Sequence, residues 1–161
     1  MPKNVRPDSF KMAKFILSRA LFSCNRDRMK HQRQNRLETF SMEINEFCLS
    51  LLGVTHVVQW GGSDVYKVGG KVFAIISTDP DNQPRVTFKA SEMSFEMLKS
   101  EPGMRPAPYL ASRGFKWLQR FDERTLDDQA LRDYIRQSHA MVLEGLSKKK
   151  RLALQNPGSE R

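Results

Sequence analysis

The side chains with chemistry to offer are few and scattered. His31, His56 and His139 lie far apart, and none has a carboxylate or cysteine at ligand spacing, whereas a zinc site needs three or four such groups converging. Asp79 and Asp81 flank Pro80; solvated turn carboxylates are the plain reading and a weak cation contact the sharper one. Cys24 and Cys48 are too few for a disulfide scaffold, and Cys48 falls on an apolar stripe where it reads as a core residue. The glycines of WGGSDVYKVGGK fail the phosphate-loop test: the pair Gly70-Lys71 has Val65 where the first glycine is needed and Val72 where Ser or Thr is needed. They read as turn residues. No Gly-x-Ser-x-Gly elbow or Cys–His signature supports covalent catalysis. The expectation is a binding protein without enzymatic chemistry, metal or cofactor.

Cations are what remain. Lys67, Lys71, Arg85, Lys89, Arg105, Arg113 and Lys116 fall in or near expected strands, and Lys148, Lys149 and Lys150 follow the last long helix. If the polar side of Arg85–Lys89 adjoins the hairpin of Lys67 and Lys71, a positive patch forms beside Tyr66 or Trp117, suited to phosphate contacts and base stacking. An ordinary solvated sheet face is the other reading. The net charge of +9 leaves the choice open, because it resides at the ends. Residues 1–41 hold ten Lys/Arg against three acids (+7), residues 148–161 hold five against one (+4), and residues 42–147 hold twelve against fourteen (−2). A field argument for nucleic acid applies first to the ends, and to the body only through a local patch.

The elements that must position these groups follow from periodicity. Phe10, Ala13, Leu17, Ala20 and Leu21 have helical spacing, so 9–22 reads as a basic amphipathic helix, capped by Asp8. The polar run 25–36 offers nothing to bury. Residues 1–41 read as a poorly ordered basic extension; an upstream start codon, with Met42 as the natural start, is an equal reading, and a mitochondrial transit peptide a weaker one. From Met42 the stripe Ile44, Phe47, Cys48, Leu51 and Leu52 marks a helix ending at Gly53. Strands are expected at Val54–Trp60, Val65–Val68, Lys71–Ile76, Arg85–Lys89 and Phe115–Phe121. Gly69-Gly70 makes a two-residue hairpin that sets Val68 opposite Lys71, Lys67 opposite Val72 and Tyr66 opposite Phe73. Ser91 caps a short helix to about Lys99, Glu101–Leu110 is irregular, and Thr125 with Asp128 caps a long helix striped by Leu131, Tyr134, Ile135, Ser138, Met141, Val142 and Leu146. His139 beside that stripe reads as a partly buried, hydrogen-bonded histidine. The fold class is α+β: a two-layer sandwich, an antiparallel sheet with helices packed on one face. The domain division is 1–41, 42–147 and a basic tail at 148–161. No apolar run spans a bilayer; the best, Phe47 to Ser63, contains His56, Gln59 and three glycines. A reducing, soluble setting is the plain reading.

Val65–Ala74 (VYKVGGKVFA), Val86–Lys89 (VTFK), Pro106–Leu110 (PAPYL), Trp117, Ser138 and Lys148–Arg151 (KKKR) occur in that order. Together they resemble the MmcQ/YjbR family over about 42–151, and not over the first 41 residues. The resemblance implies a CyaY-like (frataxin-like) fold, also similar to that of secretion chaperones, and a "double wing" DNA-binding role. Ser138-His139 stands where relatives have Ser-Tyr, and Gly114-Phe115-Lys116 where His-Trp is common. The lead expectation is therefore DNA binding through phosphates, with little sequence preference. A protein-interaction module is the alternative, with the oligomeric state open. A frataxin-like iron role would want an acidic ridge on the first helix, which offers only Glu43 and Glu46.

Overall fold

The computed structural model describes the backbone of residues 9–155, and side chains from Arg28 onward. The chain divides into two units, one ending at Thr39 and the other beginning at Phe40. Helix α1 runs Ser9–Ser50 without interruption. The sequence reading expects two helices separated by a polar stretch. No Gly or Pro breaks 9–50, and the Arg, Lys, Gln and Met of the polar run are good helix formers. In the first unit the Gln34 amide donates to the Glu38 carboxylate one turn on, at 2.9 Å. The apolar character of 9–22 lies outside the described side chains.

In the second unit the last turns of α1 bury Ile44 and Cys48 completely, with Phe40, Phe47 and Leu51 packed beside them. Leu52, expected in the stripe, is exposed, because the helix has already ended and Gly53 turns the chain at φ +66°. A β-carbon at Gly53 would also sit 2.7 Å from Leu154 Cδ2.

Six antiparallel strands follow in the order β1-β2-β3-β4-β6-β5. They are β1 Val54–Gln59, β2 Ser63–Val68, β3 Lys71–Thr78, β4 Pro84–Lys89, β5 Met104–Pro106 and β6 Trp117–Arg120. Strand β5 falls in the stretch read as irregular. It has three residues on the sheet edge, where Pro106 costs no ladder bond. The hairpin register holds for Val68–Lys71 and Lys67–Val72, but a bulge then sets Tyr66 opposite Ala74, not Phe73. The extra residue lets Phe73 and Ala74 both be fully buried.

Helix α2 (Glu92–Leu98) is capped by Ser91, whose side chain accepts from the Ser94 N–H. Helix α3 (Asp128–Glu144) begins later than the Thr125 cap would place it. Asp127 is the N-cap, accepting the Ala130 N–H at 2.8 Å, while the Thr125 hydroxyl donates to Pro102 O at 2.6 Å. The carboxylate wins because an ionised acceptor also complements the helix dipole. Helix α3 lays Leu131, Ile135, Ser138, His139 and Val142 into the core formed by Tyr66, Val68, Phe73, Val86, Phe88 and Leu118. The segment 148–161, read as a basic tail, opens with helix α4 (Lys148–Gln155), whose Leu154 packs against the core. Among the described residues no helix is long and apolar enough to cross a membrane.

Candidate nucleic-acid interface

Because every neighbouring pair in the sheet is antiparallel, the sheet has two ends of different composition. One carries the Gly69-Gly70 turn, where β2 and β4 finish and β3 and β6 begin. Lys71 opens β3, Lys89 closes β4, and Lys67 lies next to Val68. Arg113 and Lys116 sit in the loop between β5 and β6, which reaches the same end. The α3–α4 junction lies there too: Lys71 Nζ donates to Gly145 O at 3.2 Å, and Lys150 Nζ to Gly69 O at 3.5 Å. These bonds place Lys148, Lys149 and Lys150 beside the hairpin. The turn is pinned as well as bridged, since a β-carbon on Gly69 (φ +56°) would meet Leu146 Cδ1 at 2.4 Å.

The opposite end carries Asp64, Asp79, Asp81, Asp122 and Glu123, in and around the turns that lead into β2 and β4 and out of β6. The slightly negative body therefore conceals a separation of charge along the strands.

Two of the ten cations singled out in the sequence fall away from the Gly69-Gly70 end. Arg85 is engaged with Asp79, Nη2 to Oδ2 at 2.6 Å. The Gln83 N–H, donating to Asp79 at 2.7 Å, and then Arg85, hold that carboxyl below its ordinary range. Arg105 is built into a polar chain: Nε and Nη2 donate to Gln119 Oε1, Nε at 2.8 Å, and Gln119 donates to the Thr87 hydroxyl at 3.0 Å. Its guanidinium also lies 5.3 Å from the Phe121 ring centroid. Burial, and then Arg85, lowers its pKa. Neither is placed to meet the same phosphate backbone as the other eight.

Among those eight the degree of engagement differs. Lys116 pairs with Glu92 at 2.8 Å and lies over the Phe95 ring at 4.9 Å; its hydrogen bond to Glu92 raises its pKa. Lys67 Nζ donates at 3.2 Å to Gln59, the last residue of β1, so its charge is drawn along the sheet away from the hairpin. Among the described residues the side chains of Lys89, Arg113, Lys148 and Lys149 have no hydrogen-bond or ion-pair partner, so their charge is available to a ligand.

The expected stacking aromatics do not serve. Tyr66 is 1% and Trp117 9% exposed, and the Tyr66 hydroxyl is spent on Asn45 Oδ1 at 2.8 Å. Sequence reasoning missed the rings that do reach solvent at this end, Tyr109 (85% exposed) and Phe115 (53%). Tyr109 has φ +66°, a left-handed backbone that costs a side chain about 1–3 kcal/mol. Among the described residues the third exposed aromatic, Trp60, also has positive φ but sits in the β1–β2 turn at the acidic end.

His139, His56 and Cys48 are built into the fold. His139 Nε2 is 2.9 Å from Leu52 O and its ring meets Phe73 edge-on at 5.1 Å. His56 is paired with Asp64 at 2.7 Å. Burial pushes the Cys48 thiol up to about 12, far from a reactive thiolate. No three His, Cys, Asp or Glu side chains among the described residues come together as a metal site.

The YjbR family model matches residues 49–141, more than half of the chain. Among solved structures, the crystal structure of Deinococcus radiodurans protein DR2400, a DUF419 domain, superposes with a TM-score of 0.61 at 20% identity, covering 75% of this chain and 95% of that one. No curated protein matches.

Proposed function

The chain belongs to the YjbR family, and on that premise we propose that it is a non-enzymatic DNA-binding protein that holds phosphates with the Gly69-Gly70 end of its sheet. Lys67, Lys71, Lys89, Arg113 and Lys116 supply one side of the contact, and Lys148, Lys149 and Lys150 the other. The observation that carries the reading is the gathering of seven cations, with Lys67 rooted beside them, at one end of a body most of whose acids lie elsewhere. Arg85 and Arg105 are reassigned from phosphate contact to holding the opposite end together. Helix α4 anchors the Lys148–Lys150 cluster, so these cations belong to a formed surface. Phosphate contacts position without reading sequence, so sequence preference is weak. Such a role places the protein with the DNA, in the cytoplasm.

The test is the affinity of the full chain for a fluorescent oligodeoxynucleotide at about 50 and 200 mM salt. Four to six phosphate contacts give a log–log slope of about −3 to −5. Reversing the four unengaged cations together (Lys89→Glu, Arg113→Glu, Lys148→Glu and Lys149→Glu) should flatten the slope by about 1 per residue. An unchanged slope in the reversed protein refutes this surface.

The alternative, a protein-interaction module, is favoured by edge strand β1, which presents exposed Val57 and Val58, with exposed Trp60 in the turn that follows and no Lys, Pro or bulge to blunt the edge. Sedimentation of the full chain distinguishes it: a stable dimer that Val58→Lys dissociates supports that reading, and a monomer at all concentrations removes its self-association form.

A further inference from the structure

We infer that the basic end is built for DNA with unpaired bases, single-stranded DNA above all, in preference to intact duplex. The inference rests on the DNA-binding reading and specifies its ligand. Its evidence is the β5–β6 loop, which carries two cations and two exposed rings on one short, internally bonded segment. Ala107 N–H bonds to Trp117 O at 2.9 Å, Ala111 N–H to Ala107 O at 3.0 Å, Gly114 N–H to Ala111 O at 3.0 Å, and the Ser112 hydroxyl to Tyr109 O at 3.1 Å. The loop is thus a fixed platform, and the side chains of Tyr109 and Phe115 are left outside it.

A protein gains nothing in stability from an 85% exposed tyrosine held at φ +66°, a conformation glycine adopts without strain. Observed strain at an exposed residue points to use of that residue. The ring carries no cation over its face and no aromatic neighbour among the described residues, and neither does Phe115. Arg113 lies between them in sequence with its guanidinium unengaged, and Lys116 and Lys89 follow at the adjoining strand ends.

Cations alone suit any polyanion. Cations interleaved with open aromatic faces suit one that also has flat, exposed π-systems, which is the chemistry of single-stranded nucleic acid. In a duplex the base faces are stacked on one another and offer a ring nothing. Trp60 does not share the role, since the acidic end surrounds it.

The experiment compares the full chain with a labelled oligo-dT and with a duplex of equal length. Tyr109→Gly keeps the left-handed backbone and removes the ring, Tyr109→Phe keeps both the ring and its demands, and Phe115→Ala tests the second ring. The wild type should favour oligo-dT; Tyr109→Gly should weaken that binding about tenfold, leave duplex binding within about twofold, and be rescued by Tyr109→Phe. Equal oligo-dT affinity in wild type, Tyr109→Gly and Phe115→Ala, or tighter binding of duplex, overturns the inference while DNA binding stands. If the charge-reversed protein binds both DNAs as the wild type does, the underlying reading falls as well.

Discussion

Ser138 shows how one hydroxyl can set the geometry of the basic end. The β3–β4 ladder stops at Ala74–Phe88, so Phe73 O and Lys89 N are parted where the next bond would lie. The buried Ser138 Oγ fills the gap, accepting from Lys89 N–H at 2.9 Å and donating to Phe73 O at 2.6 Å. Ser138→Ala leaves both backbone groups buried without a partner, and should cost about 2–4 kcal/mol in urea denaturation. Asp79 ties stability to pH. Its folded pKa is depressed, so it contributes stability that is present above the ordinary carboxylate value of about 3.9 and lost as pH falls through the folded value. Asp79→Asn should therefore lower the urea midpoint at pH 7 and change it little near pH 2; an equal loss at both would show that ionisation is not the cause.

At the scale of elements, the hairpin is both the most legible feature of the sequence and the place where reading it stops short. Gly69-Gly70 between two alternating runs announces the turn and its first two pairs. The bulge beyond them follows from packing, since Phe73 must turn inward to meet His139, and period-two reasoning contains no term for a helix on the other side. Strand β5 was hidden by its prolines, and helix α4 by a basic composition whose single anchoring contact, Leu154 on the core, is tertiary. For the interface, the sequence identified the cations but not their partners: Arg85 and Arg105 read like Lys89 until Asp79 and Gln119 are seen beside them. Exposure of Tyr109 could not be read at all. Two substitutions test the packing at this scale. Gly69→Ala should destabilise by about 1–2 kcal/mol from its left-handed φ, with a further loss from the Leu146 clash. Phe88→Ala, at a fully buried ring stacked 5.6 Å from Tyr134, should cost about 3–5 kcal/mol.

For the whole molecule, the informative quantity is where charge lies and not how much there is. A body of charge −2 would be a poor candidate for DNA binding if its charges were mixed. The fold sorts most of them: lysines and arginines gather at the Gly69-Gly70 end, where Glu92 pairs with Lys116, while Asp64, Asp79, Asp81, Asp122 and Glu123 lie at the other end of the strands. The basic helix of the first unit adds charge of its own, so bulk affinity alone would not locate the contact. Amide chemical-shift mapping of the full chain with a short oligodeoxynucleotide locates it. Shifts should gather at Gly69–Lys71, Lys89, Tyr109–Lys116 and Lys148–Arg151, and leave Trp60–Gly62 and Asp79–Asn82 unmoved. Shifts confined to residues before Phe40, or centred on the Trp60 turn, would contradict it.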